Sequence, residues 1–248
     1  MVCACSRSKT TVEFNQTLFL HLTLDRPVYR LIAMKPDSPG IAPPQSTPAT
    51  RDRLIAAMQG ALRSKGYHGV GLSELLAKAQ APKGVLYHHF PGGKSELAVA
   101  AIEAVIHQLT TGLQRLMARD PDPARALATW MDSAQKVLAG SGFAEGCPLA
   151  TIALESTPDD TQVRTALAQG FTAIRQHLTG TLHGAGIAER RAAQLAALIV
   201  SAYEGALVQA RVAGQVDAMR DTTDALVDLV RASLPPAPTR STLDTPTP

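Results

Sequence analysis

Leu72-Ser73-Glu74-Leu75-Leu76-Ala77-Lys78-Ala79-Gln80-Ala81-Pro82-Lys83-Gly84-Val85-Leu86-Tyr87-His88-His89-Phe90 decides how the chain is read. Apolar residues recur there with helical period in two short runs, 72–79 and 82–89, broken at Gln80-Ala81. Pro82 suits a first helical turn, where its missing N–H is not needed. Two short helices joined by a tight turn make a helix-turn-helix candidate. Leu75, Leu76, Ala79, Val85 and Leu86 can seal a small core, which leaves Lys83, Gly84, Tyr87 and His88 on the outer side of the second helix. A helix about 10 Å across fits the major groove of DNA, with its N-terminal residues at base edges.

Working outward, Leu54, Ile55, Met58, Ala61 and Leu62 form one apolar stripe, which predicts a helix with Thr50 as N-cap and Gly66 as the C′ residue that stops it. Pro91-Gly92-Gly93 closes the three-helix unit. Further helices are expected over 94–118, 122–139, 148–155, 189–213 and 216–234. Thr157-Pro158-Asp159 is expected to open one more, running to residue 183. With no strand pattern after residue 50, the class is all-α. The chain divides into a leader (1–48) read as disordered, an N-terminal unit (49–97), a C-terminal helical unit (98–234) and a disordered tail (235–248). The leader's last third is proline-rich, and Met34 offers an alternative start.

The composition fits this organisation. The 248 residues are 45% hydrophobic and 18% charged, with a net charge of +3. That charge is unevenly placed: +2 over residues 1–48, +4 over 49–97 and −3 over 98–248. A basic module ahead of a slightly acidic one points to a polyanion-binding head joined to something else. Three cysteines, Cys3, Cys5 and Cys147, do not make a disulfide framework, and a reducing compartment is the default.

Residues 72–90, with Lys94 and Leu97, resemble the DNA-binding domain of the TetR family of bacterial regulators, most specifically in Leu86-Tyr87-His88-His89-Phe90. Ala81-Pro82-Lys83-Gly84, Pro91-Gly92-Gly93-Lys94, Gly146-Cys147-Pro148-Leu149 and Ile199-Val200-Ser201-Ala202-Tyr203-Glu204-Gly205-Ala206-Leu207 are similar to its LmrA/YxaF-type branch. The resemblance spans about residues 50–232. It implies a dimer that binds a palindromic operator on double-stranded DNA through its heads and a small-molecule effector through the C-terminal domain. It also implies a cytoplasmic, nucleoid-associated protein that acts as a repressor, with no membrane partner.

Carried over residue by residue, the resemblance places Gly71, Ser73, Ala81, Pro82, Lys83, Gly84, Tyr87, His88 and Lys94 at the DNA. Lys83 would donate to a guanine edge or a phosphate, Tyr87 would bond a phosphate, and Phe90 would be buried. Three departures stand out. Gly71 replaces a capping Thr, and one extra residue separates Phe90 from Lys94. Gln80 replaces the usual turn glycine, which predicts a left-handed non-glycine residue at a cost of roughly 1 kcal/mol.

In the C-terminal part, Ala192, Ala193, Ala196, Ala197, Ala202, Gly205, Ala206 and Ala210 make the penultimate helix smooth, as a dimer four-helix bundle with residues 217–234 would require. The larger or polar side chains on these helices, His107, Met117, Trp130, Met131, Phe143, Cys147, Phe171, His177 and Tyr203, are the candidate effector contacts. Each also reads as ordinary packing, and Cys147 as a buried structural thiol. No nucleophile–base pair, phosphate-binding glycine loop or metal motif is present, and adjacent His88 and His89 point about 100° apart. The sequence therefore predicts no enzyme, no cofactor and no metal. The competing reading is a helical small-molecule-binding protein without DNA binding.

For such regulators a palindrome often precedes the start codon, and codons can be chosen so that the DNA for Leu24 to Tyr29 contains a perfect palindrome. Residues 1–33 are accordingly read as translated upstream DNA that contains the operator. The codons actually used check this: synonymous choices that break the symmetry end the idea.

Overall fold

Helix α1 (Thr50–Ser64) buries Leu54, Met58 and Leu62 completely, along the stripe that its sequence lays out. This computed structural model describes residues 49–236, so the leader, its Met34 start and the palindrome-coding segment lie outside the described residues, as does residue 237 onward. Ala49, not Thr50, is the N-cap of α1; Thr50 is its first helical residue and its hydroxyl accepts from Arg53 Nη2 at 3.2 Å. Gly66 follows the helix with φ +72°, as a C′ glycine does.

Helix α2 (Leu72–Ala79) packs Leu75, Leu76 and Ala79 against α1. Gln80 then takes the left-handed conformation expected of it, φ 51°, and its N–H bonds back to Ala77 O at 3.1 Å. Helix α3 (Lys83–His89) begins one residue later than predicted. Pro82 is its extended N-cap, at φ −63° and ψ 150°, so the ring fixes the entry to the helix and not its first turn. Leu86 and Phe90 close the three-helix core from beneath.

Helix α4 (Gly93–Arg119) is about 40 Å long at 1.5 Å per residue and runs unbroken past the 97/98 division. Leu97 and Ala98 both lie on its buried face, so one rigid helix serves both units. Helix α5 (Pro123–Gly140) starts as the sequence indicates: Asp122 accepts from Ala124 N at 2.9 Å, with Pro123 at the first position. Helix α6 (Pro148–Glu155) follows.

Helix α7 (Thr161–Gly184) begins later than Thr157-Pro158-Asp159 suggests. The Asp160 carboxylate accepts from Thr157 N at 2.7 Å and from Thr157 Oγ1 at 2.9 Å, a local turn that competes with helix and delays it. Helices α8 (Glu189–Ala213) and α9 (Asp217–Ser233) complete the described residues, among which there is no strand. The fold is all-α, with a helix-turn-helix head and a C-terminal helical domain. One apolar cluster runs from Leu54 on α1 to Ala210 on α8, so the head shares its core with α4, α6 and α8. A second cluster, around Met131, Leu195 and Val230, fills the far end.

Candidate nucleic-acid interface

The seven residues of α3 make two turns, and the helical period sorts them cleanly. Leu86 faces the core, while Lys83, Gly84, Tyr87 and His88 stand at i, i+1, i+4 and i+5 on the exposed side. Tyr87 is half exposed, and its ring rests near the backbone of Gly93, Cε1 lying 3.4 Å from the site of a Cβ there. Nothing lies within 4 Å of a Cβ at Gly84, so the protein's own packing does not call for glycine at that position. Pro82, Gly71 and Ser73 are exposed on the same unit, and Ala81 is half-buried. Phe90 is 1% exposed, as expected.

Lys94 stands apart from this group. Its ammonium sits 4.7 Å from the centre of the Tyr67 ring and is partly withdrawn from water, which lowers its pKa; the charges of Asp160 and Glu155 act in the opposite direction. Gly93, the first residue of α4, has φ +68°. The contact seen for Lys94 is therefore with the head's own turn.

Two basic residues of α1 carry roles that the sequence reading missed. Arg53 Nε donates to Ala79 O at 3.0 Å, which satisfies the last turn of α2 next to the left-handed Gln80. The Arg51 guanidinium lies 5.3 Å from the centre of the Phe90 ring. Both contacts join residues more than twenty positions apart, and no local pattern announces them.

Taken together, the exposed side of α3 is a short helix with a lysine at its first residue and a tyrosine hydroxyl one turn on, backed by a sealed core and pinned at the turn. Known proteins resemble this chain. The model for bacterial regulatory proteins of the tetR family matches residues 54–101, and that for the transcriptional regulator LmrA/YxaF-like C-terminal domain matches residues 123–225. The chain belongs to the TetR family.

This TetR-family chain is 24% identical to the HTH-type transcriptional regulator LmrA of Bacillus subtilis over 182 residues, 73% of the chain and 97% of LmrA. It is 28% identical to the regulator YxaF of the same organism over 159 residues, 64% of the chain and 83% of YxaF. Among solved structures, the regulatory protein TetR from Rhodobacter sphaeroides superposes with a TM-score of 0.64 at 26% identity, covering 72% of this chain and 97% of that one. These relatives are transcriptional regulators, not enzymes.

The C-terminal domain of this regulator scatters the candidate effector contacts. His107 is exposed, because the helical period turns it away from the Val105–Gly112–Leu113 face of α4, so it drops out of any interior site. Trp130 on α5 meets Tyr203 on α8, ring centres 4.5 Å apart and planes at 41°. Met131 is wholly buried in the second core cluster. Phe143, with φ +62°, and Phe171 are half-buried against the first. Met117 alone of the nine lines a small internal cavity of about 10 Å³, with Leu113, Leu127, Leu178 and Ile199.

Cys147 is buried, and burial pushes its thiol well up, with the neighbouring Glu204 charge acting in the same direction. His177 Nε2 is enclosed without a hydrogen-bond partner among the described residues, and burial lowers the pKa of the ring. Glu204 was not among the sequence candidates. Burial pushes its carboxyl up to about 7, against a hydrogen bond with Cys147 that lowers it, and its Oε2 has no partner among the described residues. The signal was present: Glu204 is the one charged residue between positions 192 and 210.

Proposed function

We propose that the protein is a dimeric repressor whose two heads read a palindromic operator and which a small hydrophobic or aromatic effector releases. The outer face of α8 carries this reading. Ala192, Ala196, Ala206 and Ala210 pack inward, but Ala193, Ala197, Leu198, Ser201, Gly205, Val208 and Val212 form an exposed stripe of small and apolar residues. Val212 is 84% exposed, and an open hollow of about 450 Å³ lies beside it between Val208 and Ala218. Although α8 is long and apolar enough to cross a membrane, its inner face packs into the helical domain, and its free face suits a second copy of itself. The smooth surface that reads as one stripe in sequence is thus two, one for the core and one for the partner.

A twofold pairing on this face sets two copies of α3 on one side, about one DNA turn apart. In this reading the protein works in the cytoplasm at the nucleoid and represses by occupying its operator. The cavity among α4, α5 and α7, at about 10 Å³, is far smaller than the roughly 300 Å³ or more that a drug-sized ligand needs. An effector that enters there parts α4, α5 and α7, and its preference for the parted state moves the heads out of register.

Sedimentation equilibrium tests the pairing. The wild-type protein is expected at twice the 26.2 kDa chain mass, and Leu198→Asp combined with Val212→Asp at the monomer mass with loss of operator binding. A wild-type monomer that still selects a palindrome would overturn the dimer.

A further inference from the structure

Besides the ion pair of Arg63 Nη1 on α1 with Glu145 Oε2 at 3.7 Å, the head touches the C-terminal domain through polar contacts that gather on one short segment, the end of α6 and the start of α7. The Glu155 carboxylate occupies the place that a Gly66 Cβ would take, and its Oε2 accepts from His68 N–H at 3.1 Å. The His68 ring meets Asp160 Oδ2 at 2.9 Å through Nε2. Asp160 is itself held in the α6–α7 turn by Thr157 N–H and Thr157 Oγ1, so the acceptor that grips His68 is fixed in place. From the first turn of α4, Ser95 Oγ donates to Gln162 Oε1 at 3.0 Å. Lys94 lies over Tyr67 in the field of Asp160 and Glu155.

The three-helix core of the head does not need these bonds. Leu54, Leu62, Leu75, Leu86 and Phe90 are buried in the apolar cluster that the head shares with α4, α6 and α8. The His68 side chain is 48% exposed, and exposed pairs of this kind add little to stability. What they add to that apolar contact is direction, because two carboxylates meet at His68 in the α1–α2 turn, Glu155 on its backbone N–H and Asp160 on its ring.

We propose that Glu155 and Asp160 are positioning residues that set the angle of each head and hence the half-site spacing that the dimer accepts. This rests on the twofold operator reading above. One base pair inserted between half-sites moves them apart by about 3.4 Å and turns them by roughly 35°, more than a fixed head can follow.

The test uses the full chain and a duplex that the wild-type protein selects from a random pool, with one base pair then added to or removed from the spacer. Wild type is expected to lose about tenfold or more in affinity on either altered spacer, the scale of one mismatched position. Glu155→Ala combined with Asp160→Ala is expected to bind all three spacers within about threefold of one another, while its melting temperature stays close to that of wild type. Glu155→Gln, which keeps an acceptor for His68 N–H, should retain the wild-type discrimination. Gly66→Ala, whose methyl group displaces the carboxylate, should lose it. Discrimination unchanged in both alanine proteins would overturn the inference and leave the operator reading standing. A wild-type protein that enriches no twofold duplex would end both.

Discussion

Lys83→Ala is expected to bind the selected operator about 10- to 100-fold more weakly than wild type, the cost of one lost base-edge or phosphate contact at the N-terminus of a recognition helix. Lys83 is the first residue of α3, exposed and directly after the Pro82 N-cap, where a side chain reaches deepest into a groove. The form of the loss tells which contact it makes. A guanine contact predicts relaxed preference at one base pair with little change in salt dependence. A phosphate contact predicts equal weakening on every sequence and a log–log salt slope shallower by about one. Tyr87→Phe removes only the hydroxyl of a half-exposed residue on the same face, and a several-fold uniform loss is expected. Fluorescence anisotropy on one duplex at several salt concentrations reads all of this. Wild-type affinity in both variants would remove α3 from the interface.

The second large effect concerns Glu204. Its carboxyl is raised from 4.5 to about 7 in the folded protein, because the buried site favours the neutral acid. The folded state therefore holds this proton more tightly than the unfolded chain. Stability from this group is complete below about pH 4.5 and is lost as pH rises through 7. The full swing corresponds to roughly 3 kcal/mol. Glu204→Gln keeps the shape without the charge, so the variant should melt like wild type at pH 5 and several degrees higher at pH 8. Thermal melts of both proteins at the two pH values decide it. Parallel pH curves would mean that Glu204 does not ionise in a closed interior.

How much of this was legible in the sequence follows from the range of the forces involved. The α3 face and the Asp122–Pro123 start of α5 were readable, because each depends on helical period or on capping within a few residues; the left-handed Gln80 and the buried Phe90 were legible only through the resemblance to the TetR family. The start of α7 was misplaced by a contest equally local but less regular, in which Asp160 turns back onto Thr157. Arg53 on Ala79, Glu155 against Gly66 and Lys94 over Tyr67 join residues distant in the chain, and periodicity is silent about them. Glu204 stood out in an apolar run, but its residue type suggested surface where packing has made it interior.

The most direct test of the account is selection of duplex DNA from a random-sequence pool by the full chain at physiological salt. Enrichment of two inverted half-sites, centred about one helical turn apart and bound by a dimer, is the predicted result. A pool that stays random, bound only at low salt and without sequence preference, would contradict it.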